Sequence, residues 1–129
     1  MDIFRMQVKT HFDAAHYLKS YVGKCSNMHG HRWDIEVCLQ AHELDVRNML
    51  VDFVVVKAEL KRLLDEKLDH YLLNESLGES NPTAEFLARW LFKQMEKAAV
   101  GWGVRLVRTC VWESPDCCVE YASGTEVGA

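Results

Sequence analysis

The sequence predicts an α+β domain in which a four-stranded antiparallel sheet is covered on one face by two helices. Apolar and polar residues alternate up to residue 40 and again after residue 104, as they do in half-buried strands. Between these regions, apolar residues recur at three- and four-residue steps, which is typical of helices. The predicted order is ββααββ, and a chain of 129 residues suits one domain, assigned to residues 1–122.

The first predicted strand runs from Met6 to His16, with mostly apolar even positions and polar odd positions. The second starts at His29, and its apolar side consists of odd positions that continue through Trp33 to Leu39. Successive side chains of a strand point to opposite faces. We therefore expect His29 and His31 on the apolar face.

The first helix is predicted from Asp52, a candidate N-cap, to Leu68, despite a β-branched run at its start. Its apolar positions are Phe53, Val56, Leu60, Leu64 and Leu68. A polar connection, NESLGESNPT, follows. Asn81 or Thr83 can then cap a second helix that ends near Gly101, with Pro82 tolerated close to its start.

The third strand is predicted over Val104 to Glu113, and a turn at residues 114–116 leads to a short closing strand, Cys117 to Tyr121. Residues 123–129 show no pattern, and we expect them to be disordered. Four strands leave two exposed edges. Pairing those edges in an oligomer is one way to protect them.

Composition excludes several classes of protein. There is no apolar run of about eighteen residues, the N-terminus has no signal-peptide pattern, and a net charge of −4 without a basic run argues against nucleic acid as partner. Five cysteines are an odd number, which favours reduced thiols and a cytoplasmic location. We expect the adjacent Cys117 and Cys118 to be packing residues.

The segment CSNMHGHRW carries the strongest chemical signal. If the first two strands pair antiparallel, the end of the first, with His16, lies beside His29 and His31 at the start of the second. Three histidines bind zinc and leave a fourth coordination position for water or substrate. Cys25 lies in the intervening loop. It is either a free thiol above that position or a fourth ligand that closes the site.

Two further features, the Asp69–His70 dipeptide and Glu113, are weaker signals of function on their own. Asp69 precedes His70 at the end of the first helix, where such a dipeptide is usually a solvated cap. Glu113 ends an apolar strand, and a carboxylate there most often marks the exit of the strand into solvent.

These segments together resemble the 6-pyruvoyl-tetrahydropterin synthase superfamily, and most closely its bacterial 6-carboxytetrahydropterin synthase branch. The motifs, in order, are FDAAH, CSNMHGH, VDF, LDH, NPTAE and Glu113. Three residues separate Cys25 from His29, as in the carboxytetrahydropterin branch, whereas the pyruvoyl enzymes typically have five. The resemblance covers residues 12–113.

The resemblance implies the tunnelling fold, in which subunits join their sheets into a barrel with active sites at subunit interfaces. It implies a homo-oligomer built on trimers, with a hexamer as a further form. It also implies conversion of 7,8-dihydroneopterin triphosphate to 6-carboxy-5,6,7,8-tetrahydropterin, with release of acetaldehyde and triphosphate, in queuosine biosynthesis. The alternatives are 6-pyruvoyl-tetrahydropterin synthesis, side-chain cleavage of sepiapterin-like compounds, a non-catalytic zinc- or pterin-binding module, and a thiol hydrolase.

Carried over residue by residue, the resemblance implies three groups of site residues. His16, His29 and His31 hold Zn²⁺; Cys25, Asp69 and His70 are catalytic; Glu113, Thr83 and Glu85 bind the pterin. Thr83 has an equally good interpretation as a helix cap. Lys19, Lys24 and Arg32 are candidate cations for the triphosphate, with no basis in sequence for choosing among them.

Overall fold

The computed structural model describes residues 1–123, which contain one antiparallel sheet of strand order β1-β2-β3-β4. The strands are β1 (Phe4–His16), β2 (His29–Ala41), β3 (Arg105–Ser114) and β4 (Cys117–Tyr121). Three α-helices accompany the sheet: α1 (Phe53–Leu63), α2 (Leu73–Ser76) and α3 (Ala84–Trp102). The predicted α+β class and the four-stranded antiparallel sheet are confirmed.

The core is formed by the inward-facing side chains of strands in which buried and exposed residues alternate. Even positions of β1 from Val8 onward and odd positions of β2 from Trp33 to Leu39 are mostly buried, and their apolar residues form one cluster with residues of the helices. The largest fully buried members include Phe12, Trp33, Leu60, Leu91, Phe92 and Met95. Thr109 of β3 is also buried, and its hydroxyl donates to the Ala88 carbonyl oxygen of α3 at 2.6 Å. The long helix and the sheet are therefore held together by apolar packing and one satisfied polar contact.

The first predicted helix has the expected start and a different end. The Asp52 carboxylate accepts a hydrogen bond from Val54 N at 2.9 Å, as an N-cap does. The α-helix stops at Leu63, and Leu64–Leu68 continue as a π-helical turn closed by Asp69 N donating to Leu64 O. Leu64 and Leu68 remain buried, so the apolar spacing did not reveal the change of helix type.

The second predicted helix corresponds to α3. Thr83 is its N-cap, with Oγ1 accepting from Phe86 N at 3.1 Å, and Gly103 ends it in the left-handed conformation at φ 71°. The connection predicted to be irregular contains the short helix α2, which buries Leu73. A 3₁₀ turn, Lys24–Ser26, was also not predicted. Single turns are too short to establish a periodic pattern.

The prediction that Cys117 and Cys118 are packing residues is wrong for the single chain, because both are exposed. They begin β4, which is an edge strand of the sheet. Apart from Ser123, the tail predicted to be disordered lies outside the described residues. Within residues 1–123, no helix is long and apolar enough to span a membrane.

Replacing Asp52 by alanine should lower the free energy of unfolding by about 1 kcal/mol, because the substitution leaves helix amides of α1 without their cap. Asp52→Asn should stay within a few tenths of a kcal/mol of the parent, since asparagine caps about equally well. Urea denaturation at one fixed protein concentration measures both. Equal destabilisation by the two substitutions would show that the carboxylate charge, rather than the cap, stabilises α1.

Candidate metal centre and active site

The register of β1 and β2 brings three histidines to one end of the sheet. His16 pairs directly with His29, and Ala14 pairs with His31. The ring centroids lie 4.6 Å apart for His16 and His29, 4.7 Å for His29 and His31, and 5.1 Å for His16 and His31. The small side chain of Ala14 leaves room for His31 beside His16. The expected convergence of the imidazoles is present in a single chain.

Backbone carbonyls determine which ring nitrogens are available. Nδ1 of His16 lies 2.9 Å from Pro82 O, and Nδ1 of His29 lies 2.6 Å from Asn27 O. A carbonyl oxygen only accepts, so each Nδ1 carries the proton and each Nε2 keeps a lone pair. The same arrangement orients metal-binding histidines in general. Pro82 and Asn27 act through main-chain atoms, and so their side-chain types give no sequence signal for this role.

Two of these nitrogens are buried without a hydrogen-bond partner: Nε2 of His16 and Nε2 of His31. A buried polar atom without a partner is costly, and in native proteins it often marks a missing ion or water. The available ligand atoms of His16, His29, His31 and Glu113 all lie within 4.8 Å of one another. This donor set fits a divalent metal ion of the zinc type, which prefers imidazole nitrogen and carboxylate oxygen.

Trp33 packs against the rings of His16 and His31 from the core side. It is fully buried, stacks on Phe12, and meets His16 and His31 edge-on with centroids at 4.9 and 5.4 Å. Its indole N–H donates to Ala14 O at 3.3 Å, so its polar atom is satisfied. The apolar face of β2 therefore continues under the histidines and limits their rotation.

Burial favours the neutral form of His16 and His31, which is the form that binds metal. It lowers the pKa of His16, against an opposing effect of the Pro82 carbonyl. It also lowers the pKa of His31, although the nearby Glu113 carboxylate raises it in part. Neutral imidazole therefore persists to a lower pH than for an ordinary histidine, whose pKa is about 6.5.

The position of Glu113 at the end of an apolar strand had suggested that its side chain points into solvent. The structure shows that it does not. Oε1 lies 3.4 Å from His31 Nε2, and the side chain is only one-third exposed. The imidazole beside it belongs to β2, far away in sequence, and the 3.4 Å approach is not a hydrogen bond. At this position Glu113 can be a fourth ligand or can receive a substrate bound to the histidines.

Cys25 lies half-buried in the 3₁₀ turn between β1 and β2. Its carbonyl oxygen accepts from Leu18 N at 2.7 Å. Its thiol does not belong to the metal-binding group found within the described part of the chain, which consists of three histidines and Glu113. The geometry favours a histidine-held ion with the sulfur outside it.

Asp69 and His70 follow the π-helical turn and lie along the outer edge of β1. Asp69 Oδ1 accepts from Asp13 N at 3.1 Å and lies 3.1 Å from His70 Nδ1. The bond from Asp13 is the main reason that the pKa of Asp69 is lowered, so the carboxylate stays ionised beside the imidazole. His70 adopts a left-handed φ of 64°, and its ring is 79% exposed. The ring is therefore presented outward.

Most of the remaining predicted residues line two cavities, whereas Lys19 and Lys24 are exposed and line neither of them. His31, Arg32 and His70 line one of about 540 Å³, which makes Arg32 the candidate cation that lies with them. Thr83 and Glu85 line another of about 500 Å³, with Arg89 and β4 residues. The single chain thus brings His70 and His31 to one cavity and leaves Thr83 and Glu85 in a separate one.

Comparison with known proteins agrees with this fold. A model of the family described as 6-pyruvoyl tetrahydropterin synthase matches residues 5–124. The chain belongs to this family. The predicted family and the predicted enzyme class, a lyase, are confirmed.

Individual members of the family show the degree of similarity. The chain is 40% identical over 105 residues to the 6-carboxy-5,6,7,8-tetrahydropterin synthase of Synechocystis sp., covering 77% of this chain and 81% of that protein. It is 31% identical over 125 residues to the enzyme of the same name from Aquifex aeolicus, covering 78% and 76%. The structure of Caenorhabditis elegans 6-pyruvoyl tetrahydropterin synthase superposes with a TM-score of 0.84 at 25% identity, covering 96% and 98%.

His31→Ala should abolish stoichiometric zinc binding, whereas His42→Ala, an exposed histidine beyond the other end of β2, should not change it. Zinc affinity should weaken as the pH falls, because the ligands must be neutral, and the lowered pKa values of His16 and His31 move their protonation to lower pH than for ordinary histidines. Competition with a fluorescent chelator between pH 7.5 and 5 measures both effects. Retention of zinc by His31→Ala would exclude the three-histidine site.

Proposed function

We propose that the chain is a zinc-dependent lyase that converts 7,8-dihydroneopterin triphosphate to 6-carboxy-5,6,7,8-tetrahydropterin, releasing acetaldehyde and triphosphate. The observation that carries the proposal is the group of three histidines and Glu113, whose available ligand atoms all lie within 4.8 Å of one another. The 40% identity to a relative named for this product favours the carboxy branch over the pyruvoyl branch, to which the structural match in C. elegans belongs by name.

His16, His29 and His31 would hold the ion, with Pro82 and Asn27 carbonyls fixing two of the rings. When bound, zinc supplies Lewis acidity to a substrate side chain rich in hydroxyl groups. The partial exposure of His31 leaves the site accessible from one side. Trp33 and the core beneath keep water away from the other side.

Proton transfer is assigned to two groups on different segments. Cys25, whose loop joins the strands that carry the histidines, acts as general base on a carbon-bound proton of the substrate. His70 exchanges protons on the opposite side of the substrate side chain, with Asp69 orienting its ring and stabilising its charged form. The ionised state of Asp69 supports this role.

The pterin ring presents an amino group and a ring N–H side by side, and a carboxylate can accept both hydrogen bonds. We assign this contact to Glu113, which lies next to the metal-binding group and is partly open. Thr83 and Glu85 contribute to the pterin pocket from the start of α3. Arg32, exposed in the cavity that His31 and His70 share, contacts the triphosphate.

The quaternary structure follows from the same separation of residues. Because Thr83 and Glu85 line a cavity apart from the metal-binding group, we propose that a complete site forms between subunits of a trimer-based homo-oligomer, with a hexamer as a further form. The edge strands β1 and β4 would join the sheets into a barrel. Five free cysteines support a reducing, cytoplasmic location, and queuosine biosynthesis is the proposed pathway.

Metal-replete protein incubated with dihydroneopterin triphosphate should yield a product with the mass of the carboxylated tetrahydropterin. Cys25→Ala should keep its zinc and lose at least about 100-fold in kcat, since general base catalysis contributes on this scale. Cys117→Ala, which removes an exposed thiol, is the matched control and should remain active. A pyruvoyl product, or release of zinc by Cys25→Ala, would contradict the proposal.

Glu113→Gln separates the two possible roles of this residue. If Glu113 receives the pterin, the variant keeps full zinc stoichiometry and its KM rises at least about tenfold. The glutamine amide is uncharged and has one accepting oxygen, so it cannot accept both hydrogen bonds as the carboxylate does. Zinc content by elemental analysis and steady-state kinetics decide the point. Loss of zinc together with activity would instead make Glu113 a ligand.

A further inference from the structure

The outer edge of β1 is covered by residues 69–74 of the same chain. In an edge strand, the main-chain groups of every second residue point away from the sheet, here those of Asp13 and Ala15. The Asp13 N–H donates to the Asp69 carboxylate, and the Asp13 carbonyl oxygen accepts from His70 N. One step further along, Tyr71 O accepts from Ala15 N at 3.2 Å. This end of the edge is thus paired by the segment that carries Asp69 and His70.

Asn74 continues this pairing one step beyond the end of the strand. Its Oδ1 accepts from Tyr17 N at 3.0 Å, and its Nδ2 donates to Tyr17 O at 2.9 Å. The side-chain amide thereby occupies the place that a neighbouring strand would take. The same Nδ2 also donates to Ser80 O at 3.1 Å. The two bonds to Tyr17 hold the start of the loop that follows His16, and the third ties the same amide to the segment before α3.

A further hydrogen bond connects the residue after Tyr17 to Cys25. The next residue, Leu18, donates its N–H to Cys25 O at 2.7 Å. One side chain, Asn74, therefore connects the segment of His70 to the loop of Cys25 across 57 residues of sequence. Within the described residues, its side-chain hydrogen bonds go to Tyr17 and Ser80 and not to the metal-binding group.

We propose that Asn74 is a positioning residue that sets the distance between Cys25 and the Asp69–His70 pair, a role that rests on the proposed function. Proton transfer on two sides of one substrate needs both groups placed within a fraction of an ångström. A neutral amide suits the position because it must both donate and accept. Aspartate keeps the acceptor for Tyr17 N and loses the donors to Tyr17 O and Ser80 O.

The test compares Asn74→Ala and Asn74→Asp with Ser76→Ala, a control in the same short helix whose buried hydroxyl has no hydrogen-bond partner. In the full-length, zinc-loaded protein, both Asn74 variants should lose about 10- to 100-fold in kcat, with KM within about threefold and zinc stoichiometry unchanged. Ser76→Ala should match the parent. If Asn74→Ala does not fold, Asn74→Asp decides.

Amide hydrogen exchange supplies a readout that does not depend on turnover. Exchange in residues 17–25 should be at least about tenfold faster in the Asn74 variants, with β2 unchanged. Unaltered exchange there, retained kcat, or loss of zinc would overturn the proposal. If the parent protein fails to form the carboxylated product, the proposed function fails, while the exchange data still test whether Asn74 holds the loop.

Discussion

The antiparallel register of β1 and β2 is the constraint on which the rest of this site depends. His16 stands opposite His29 and Ala14 opposite His31, so a shift of one residue would turn the imidazoles of one strand to the other face of the sheet. The core resists such a shift, because it would also expose Phe12 or Trp33, which are almost fully buried. The packing that stabilises the sheet therefore also assembles the candidate metal centre.

The strand register brings the histidine rings together, and main-chain carbonyls from other parts of the chain orient two of them. The start of α3 presents Pro82 O to His16, and the loop before β2 presents Asn27 O to His29. Each contact leaves one nitrogen lone pair directed by the backbone rather than by a flexible side chain. Burial then keeps His16 and His31 neutral. Orientation and protonation state are thus prepared before any ion binds.

The proposed acid–base groups are arranged around the end of the same strand. On one side, β1 leads into the loop of Cys25, and on its outer edge it pairs with the segment of Asp69 and His70. The π-helical turn and the left-handed φ of His70 direct that segment back along the strand. Irregular backbone at this point has a function in the fold, because it converts a helix end into edge pairing.

Local sequence patterns determined the four strands, both long helices, the Asp52 cap and the face on which the histidines lie, because periodicity and capping are short-range properties. Sequence motifs also identified the family. Only the tertiary structure decided that Glu113 turns inward to His31, that Leu64–Leu68 form a π turn, and that Cys117 and Cys118 are exposed. It also showed the carbonyls of Pro82 and Asn27 and the amide of Asn74 as organising contacts. These features depend on partners distant in sequence or on main-chain atoms, and neither leaves a periodic signal in the chain.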